Sequence, residues 1–128
     1  MKLLLLAGIA ALPFVTQNCK SSQRLTNTNC FKGRLEIKGI CSNYTIKLVE
    51  GNIDTSKFAS TWKNEATNKT YTNVFALGSP CSFPTTINEG DEFYFTLDDS
   101  PQNCNVCMAY YPKPPKALRI KVLDKPCN

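Results

Sequence analysis

The chain has 128 residues, seven cysteines, no histidine and a formal net charge of +5. That length has room for one domain, and the lack of histidine removes the commonest general base, the usual serine and cysteine triads and most mixed zinc sites. The mild basic excess suits an anionic partner or plain solubility equally, and no cluster of Lys and Arg with interleaved aromatics marks the chain as a nucleic-acid binder.

In chain order, Met1 and Lys2 precede an apolar run from Leu3 to Leu12. One charge and about ten apolar residues make a secretory signal peptide, too short for a membrane span of roughly 20 residues. The expected organisation is a signal peptide over residues 1–17, cut at Ala11 or near Thr16 and Gln17, then one domain over 18–128. No other stretch is long and apolar enough to span a bilayer, so an integral membrane protein is not expected. All seven cysteines (Cys19, Cys30, Cys41, Cys81, Cys104, Cys107 and Cys127) follow the leader. In a secreted chain they predict a disulfide framework, with six making three bridges in any of 15 connectivities and one left over.

Residues 18–29 are polar and aperiodic and read as an extended leader. From Phe31 to Lys38 apolar and charged residues alternate strictly, predicting a strand with one buried and one wet face. Gly39 and Cys41-Ser42-Asn43 interrupt it, and the alternation resumes with Tyr44, Ile46 and Leu48 inward and Thr45 and Lys47 outward, giving a hairpin. Shorter strands are expected at Phe58–Trp62, Tyr71–Leu77, Phe93–Leu97 and Leu118–Val122, with a further short one within Cys104–Tyr111 before Pro112, Pro114 and Pro115. Six or seven alternating strands with no helical stretch predict an all-β fold, a small antiparallel β-sandwich stabilised by disulfides. Trp62 is expected to anchor its core.

The motifs Phe31-Lys32-Gly33-Arg34-Leu35 and Tyr44-Thr45-Ile46-Lys47-Leu48 resemble the opening strands of the nematode transthyretin-like secreted proteins. Phe93–Asp99 running on to Cys104 resembles their aromatic strand, and Leu118–Val122 their closing basic strand. Ile37 stands where that family usually has a cysteine, its aromatic-strand histidine is absent, and Cys19, Cys30, Cys81 and Cys127 look extra. The resemblance implies a small extracellular β-sandwich that binds a partner. It does not imply the hydrolase activity of other transthyretin relatives.

Cys104-x-x-Cys107 offers a redox dithiol, half a metal site or two independent disulfide partners; without a following helix or a second ligand pair, independent disulfides are expected. Cys30 and Cys41 flank an extended strand and cannot meet unless the turn folds back over it. Cys104 matches the strand-end cysteine of the resembled family, so Cys107 is assigned as the unpaired one, free or linking a homodimer. Asn43-Tyr44-Thr45 and Asn68-Lys69-Thr70 match the N-glycosylation sequon. The acidic groups Asp98-Asp99 and Glu89-x-Asp91-Glu92 read as turn formers, and no catalytic, cofactor or metal residue is assigned. Tyr110–Pro115 reads as a stiff connector with a capacity for recognition. Lys32, Arg34, Lys38, Lys47, Arg119 and Lys121 point outward and form a candidate basic face for an extracellular protein, an anionic glycan or a lipid surface. The expected function is a non-enzymatic secreted binding protein. The alternative is a cysteine-rich effector, toxin or protease inhibitor presenting the loop Gly78–Gly90.

Overall fold

Alternation along the first strand dictates where the core begins. In the computed structural model, which describes residues 29–127, β1 (Phe31–Lys38) buries every second residue from Phe31 and leaves those between them half exposed. The expected signal peptide and Cys19 lie outside the described residues. β2 (Tyr44–Glu50), β3 (Ala59–Lys63), β4 (Thr70–Leu77), β5 (Glu92–Leu97), β6 (Ala117–Leu118) and β7 (Ile120–Leu123) follow, linked by loops and three short 3-10 turns. The fold is all-β, as expected. The segment Cys104–Tyr111 carries no strand.

The strands form one hydrogen-bonded sheet in the order β3-β4-β2-β1-β5-β7, with β6 on β4. All pairings are antiparallel except β4 with β6, which is parallel. Because β6 and β7 are separated only by Arg119, one stretch of chain pairs first with β4 and then with β5. The ladder therefore closes: β4, β2, β1, β5 and the β6–β7 stretch make a five-stranded barrel, and β3 extends β4 beside it. The expected division into two separate sheets is not what the ladder shows.

Closing so few strands needs strong coiling, which bulges supply. The β1–β2 register shifts twice, between Lys32 and Gly33 and between Leu35 and Ile37, leaving Val49 and Glu36 as extra residues. Gly33 permits the tight interior. A Cβ there would lie 3.0 Å from Phe95 Cε1 and 3.1 Å from Ile46 Cγ2, so the missing side chain is where two neighbours pack.

The interior is aromatic. Phe95 is fully buried, with ring centroids of Phe31, Phe75 and Phe93 at 5.5, 5.9 and 6.0 Å. Phe83 continues the chain of rings between Phe93 and Tyr44, so the loop Gly78–Gly90 is anchored in the core by its middle. Lys38 fastens the same loop from outside, donating from Nζ to Thr85 O, Ile87 O and Asn88 Oδ1. Trp62 is not a core anchor. It sits half-buried on β3 and stacks on Tyr71 of β4, centroids 5.6 Å apart, because this hairpin projects beyond the closed barrel. Thr45, expected outside, is fully buried.

The switch of partner at Arg119 breaks the regular ladder, and Ser79 repairs it. The buried Ser79 hydroxyl accepts from Ile120 N–H and donates to Ile120 O, both at 2.8 Å. Ser79→Ala leaves a buried donor and acceptor without partners, so a loss of about 1–3 kcal/mol in urea unfolding is expected. A loss below about 0.5 kcal/mol would mean that water replaces the hydroxyl.

Candidate functional site

Three disulfides are present among the described residues: Cys30–Cys127, Cys41–Cys107 and Cys81–Cys104. Cys104 and Cys107 take different partners, as expected of independent structural cysteines. The assignment of Cys107 as unpaired is wrong: it bridges to Cys41. The reason is spatial. The irregular segment after β5 crosses back over the turn between β1 and β2, which brings residue 107 to residue 41 across a sequence separation of 66. Sequence spacing carries no trace of that crossing.

This irregular segment, residues 104–116, is the most distinctive part of the surface. Prolines at 112, 114 and 115 deny it a strand, yet it is held at many points. Cys104 and Cys107 are bridged to the body of the barrel. Ala109 O accepts from Asn43 Nδ2 at 3.2 Å, and Lys116 O accepts from Ala76 N–H at 2.7 Å. The Tyr111 ring lies on Gly39, where a Cβ would come within 2.7 Å of it. Tyr110 donates its hydroxyl to Glu65 Oε1 at 2.8 Å, reaching the turn between β3 and β4.

Beside Asn105, Lys113 and Lys116 it displays large apolar side chains. Among the described residues, Val106, Met108 and Tyr110 of this segment and Ile40 of the β1–β2 turn are the large hydrophobic residues left exposed, at 54, 93, 80 and 60 %. Ile40 adjoins Cys41, and Val106 and Met108 flank Cys107, so three of the four are immediate chain neighbours of one disulfide. Sequence reasoning singled out Tyr110 but missed Ile40, Val106 and Met108. Val106, Met108 and Tyr110 alternate and so read as one face of a short strand, which the chain does not form there.

The Glu65 carboxylate, as hydrogen-bond acceptor and nearby negative charge, holds the Tyr110 phenol above the usual tyrosine range. The raised pKa means that the contact contributes fully below the pKa of free tyrosine and is lost as pH rises through the raised value. Glu65→Gln is expected to lower the alkaline midpoint of the single most shifted tyrosine in an absorbance titration. No change in any tyrosine midpoint would show that the contact is absent in solution.

The candidate basic face is not one patch. Lys32 lies 3.0 Å from Glu92 and 4.0 Å from Glu50, and Arg34 lies 2.8 Å from Glu36. The Glu92 hydrogen bond and charge hold Lys32 above the usual lysine range. Lys47 donates to Thr72, and Lys38 is spent on loop carbonyls. The register sets acids beside Lys32 and Arg34, and Lys47 opposite Arg34, while Arg119 and Lys121 lie on the far side of β5. The acidic clusters build turns and strand ends: Asp98 accepts from Ser100 N–H and hydroxyl, which holds its carboxyl below the usual range, Asp91 accepts from Asn88 N–H, and Glu89 accepts from Lys38 N–H.

The two sequons differ. Both hydrogens of Asn43 Nδ2 are used, on Ile40 O and Ala109 O, and the sequon hydroxyl of Thr45 is buried. Asn68 is exposed at the tip of the β3–β4 turn with φ of 58°.

Fold and site together define a disulfide-bonded, closed all-β barrel that displays a pinned apolar segment. No helix among the described residues is long and apolar enough to cross a membrane. No protein-family model, no curated protein and no solved structure matches the chain.

Proposed function

We propose that this is a secreted, non-enzymatic binding protein that engages an extracellular protein through Ile40, Val106, Met108 and Tyr110. One observation carries the reading: among the described residues, three of the four exposed large hydrophobic side chains lie on a segment that two disulfides and several hydrogen bonds hold in place, and the fourth, Ile40, adjoins one of those disulfides. Exposed apolar groups cost solubility and are concentrated where partners bind. Met and Tyr suit such contacts, one by its adaptability and the other by its large amphipathic ring. Pinning the segment beforehand removes much of the ordering cost of association. The three bridges and the leader at residues 1–17 support an oxidising, extracellular setting. The absence of histidine supports a binding role over hydrolysis. The transthyretin-like secreted proteins remain the family to which the reading compares the chain, on sequence motifs that fall in β1, β2, β5 and the β6–β7 stretch. Asn68 is the glycan acceptor in this reading, since a glycan there points into solvent, whereas one on Asn43 would displace a hydrogen bond that holds residue 109.

A photo-crosslinking residue at position 108 tests this in native extracellular fluid. The expected result is one dominant protein adduct, lost in Val106→Asp with Ile40→Asp and kept in the control Lys121→Gln. Adducts unaffected by the aspartates overturn the reading, as does an adduct that is only a second copy of this chain.

A further inference from the structure

A groove of about 430 Å³ opens where the β6–β7 stretch changes partner, at the Lys116 end of the irregular segment and with none of Ile40, Val106, Met108 and Tyr110 in its lining. Lys57, Lys116 and Arg119 line it with Asp99, and Leu97 and Leu118 supply apolar wall. We propose that this groove binds an acidic saccharide, a sugar unit carrying a carboxylate or sulfate beside free hydroxyls.

Charge is the first argument. Around β1 and β2 the cations already have partners: Lys32 with Glu92, Arg34 with Glu36, Lys38 with loop carbonyls and Lys47 with Thr72. Lys57, Lys116 and Arg119 form no ion pair among the described residues, and Arg119 makes only a 3.5 Å contact with Asp99 O. Lys57 and Lys116, with Arg119 held by one long carbonyl contact, line a concavity, which attracts an anion more strongly than the same charges on a convex face.

Rigidity is the second. Each cation stands on fixed backbone. Lys57 closes a 3-10 turn, its N–H donating to Asp54 O at 2.9 Å while Asp54 Oδ1 caps Ser56 N–H. Lys116 O accepts from Ala76 N–H at 2.7 Å, and Arg119 O accepts from Asp98 N–H at 3.0 Å. Less ordering is left for a ligand to impose.

Asp99 decides the class of anion. Asp99 adds a carboxylate to the lining residues; a carboxylate disfavours a bare polyanion and accepts hydrogen bonds from hydroxyls, which favours a ligand with donors next to its negative charge. An acidic sugar is such a ligand. Leu97 and Leu118 then offer apolar surface to the ring carbons. The volume lies in the range of small-molecule sites, roughly 300–1,000 Å³.

Calorimetric titration and amide shift mapping of the disulfide-intact protein test the proposal at low and moderate salt. The probes are a uronic-acid disaccharide, its sulfated form, neutral lactose and sodium sulfate. At least one acidic disaccharide is expected to bind saturably at 1:1, at least tenfold tighter than lactose or sulfate. Lys116→Gln with Arg119→Gln should weaken it at least tenfold. Asp99→Asn should weaken the saccharide while leaving sulfate unchanged or stronger, and Lys32→Gln should change affinity less than twofold. If the double variant loses its native amide spectrum, the exposed Lys57→Gln replaces it with the same expected direction. The proposal is overturned if neither acidic disaccharide saturates, if sulfate alone binds as tightly, or if Lys32→Gln weakens binding as much as the groove variants.

Discussion

Replacing both Cys30 and Cys127 by serine is expected to lower stability by about 3.5–4 kcal/mol. A cross-link between residues 97 apart would by itself restrict the unfolded chain by nearly 5 kcal/mol on the loop-closure estimate. The three bridges, however, are fully nested: Cys81–Cys104 lies inside Cys41–Cys107, which lies inside Cys30–Cys127. With the middle bridge intact, the unfolded chain can run from residue 30 to 41, cross to 107 and continue to 127, a loop of only about 30 residues, so the estimate falls to the lower figure. Urea unfolding of the double variant measures it, and the accompanying rise in the denaturant slope reports a more expanded unfolded state. A loss under about 1 kcal/mol would show that the bridge adds little to a denatured state that is already compact.

Phe95→Ala is expected to cost about 3–5 kcal/mol. Phe95 is fully buried at the meeting of β1, β4 and β5, with three rings around it, and its Cε1 sits over the bare Cα of Gly33. A barrel closed on all sides has no layer that can slide inward, so the cavity stays open. Against a typical total of about 5–15 kcal/mol, that loss leaves the variant marginal even with all bridges formed. Thermal unfolding followed by near-ultraviolet dichroism checks it. A loss near 1 kcal/mol would mean that Phe31, Phe75 or Phe93 collapses into the space. Gly33→Ala approaches the same junction from the opposite direction, by overfilling it.

The strands were legible because their signal is local. Phe31 to Lys38 alternates whether or not anything is known of its neighbours, and the barrel interior takes the face the pattern marks. β5 was equally plain from Phe93 and Phe95. What failed was whatever depends on a second segment. Leu118 and Ile120 alternate as one strand, yet the chain leaves β4 for β5 between them, and periodicity is blind to a change of partner. Thr45 reads as outward, but it lies where the sheet is covered on both faces. Trp62 reads as core because large aromatic residues usually are, while its hairpin reaches past the end of the barrel. The candidate site was hardest, since Val106, Met108 and Tyr110 alternate like a strand that the chain does not form. Tyr110 stood out beside its prolines. Ile40 and Met108 acquire meaning only once Cys41 and Cys107 are known to be joined.

The outermost bridge has a mechanical consequence. Cys30 precedes β1 and Cys127 follows β7, and their Cα atoms are 5.6 Å apart. Tension applied across the two ends runs through a covalent link at their base and bypasses the sheet, which carries no load. Under reducing conditions the same tension would fall first on the pairing of β1 with β5 and of β5 with β7, peeling the barrel open from its ends inward. Whatever is attached before residue 30 or after residue 127 therefore pulls on one fixed point, and the displayed face keeps its shape while the molecule is tugged.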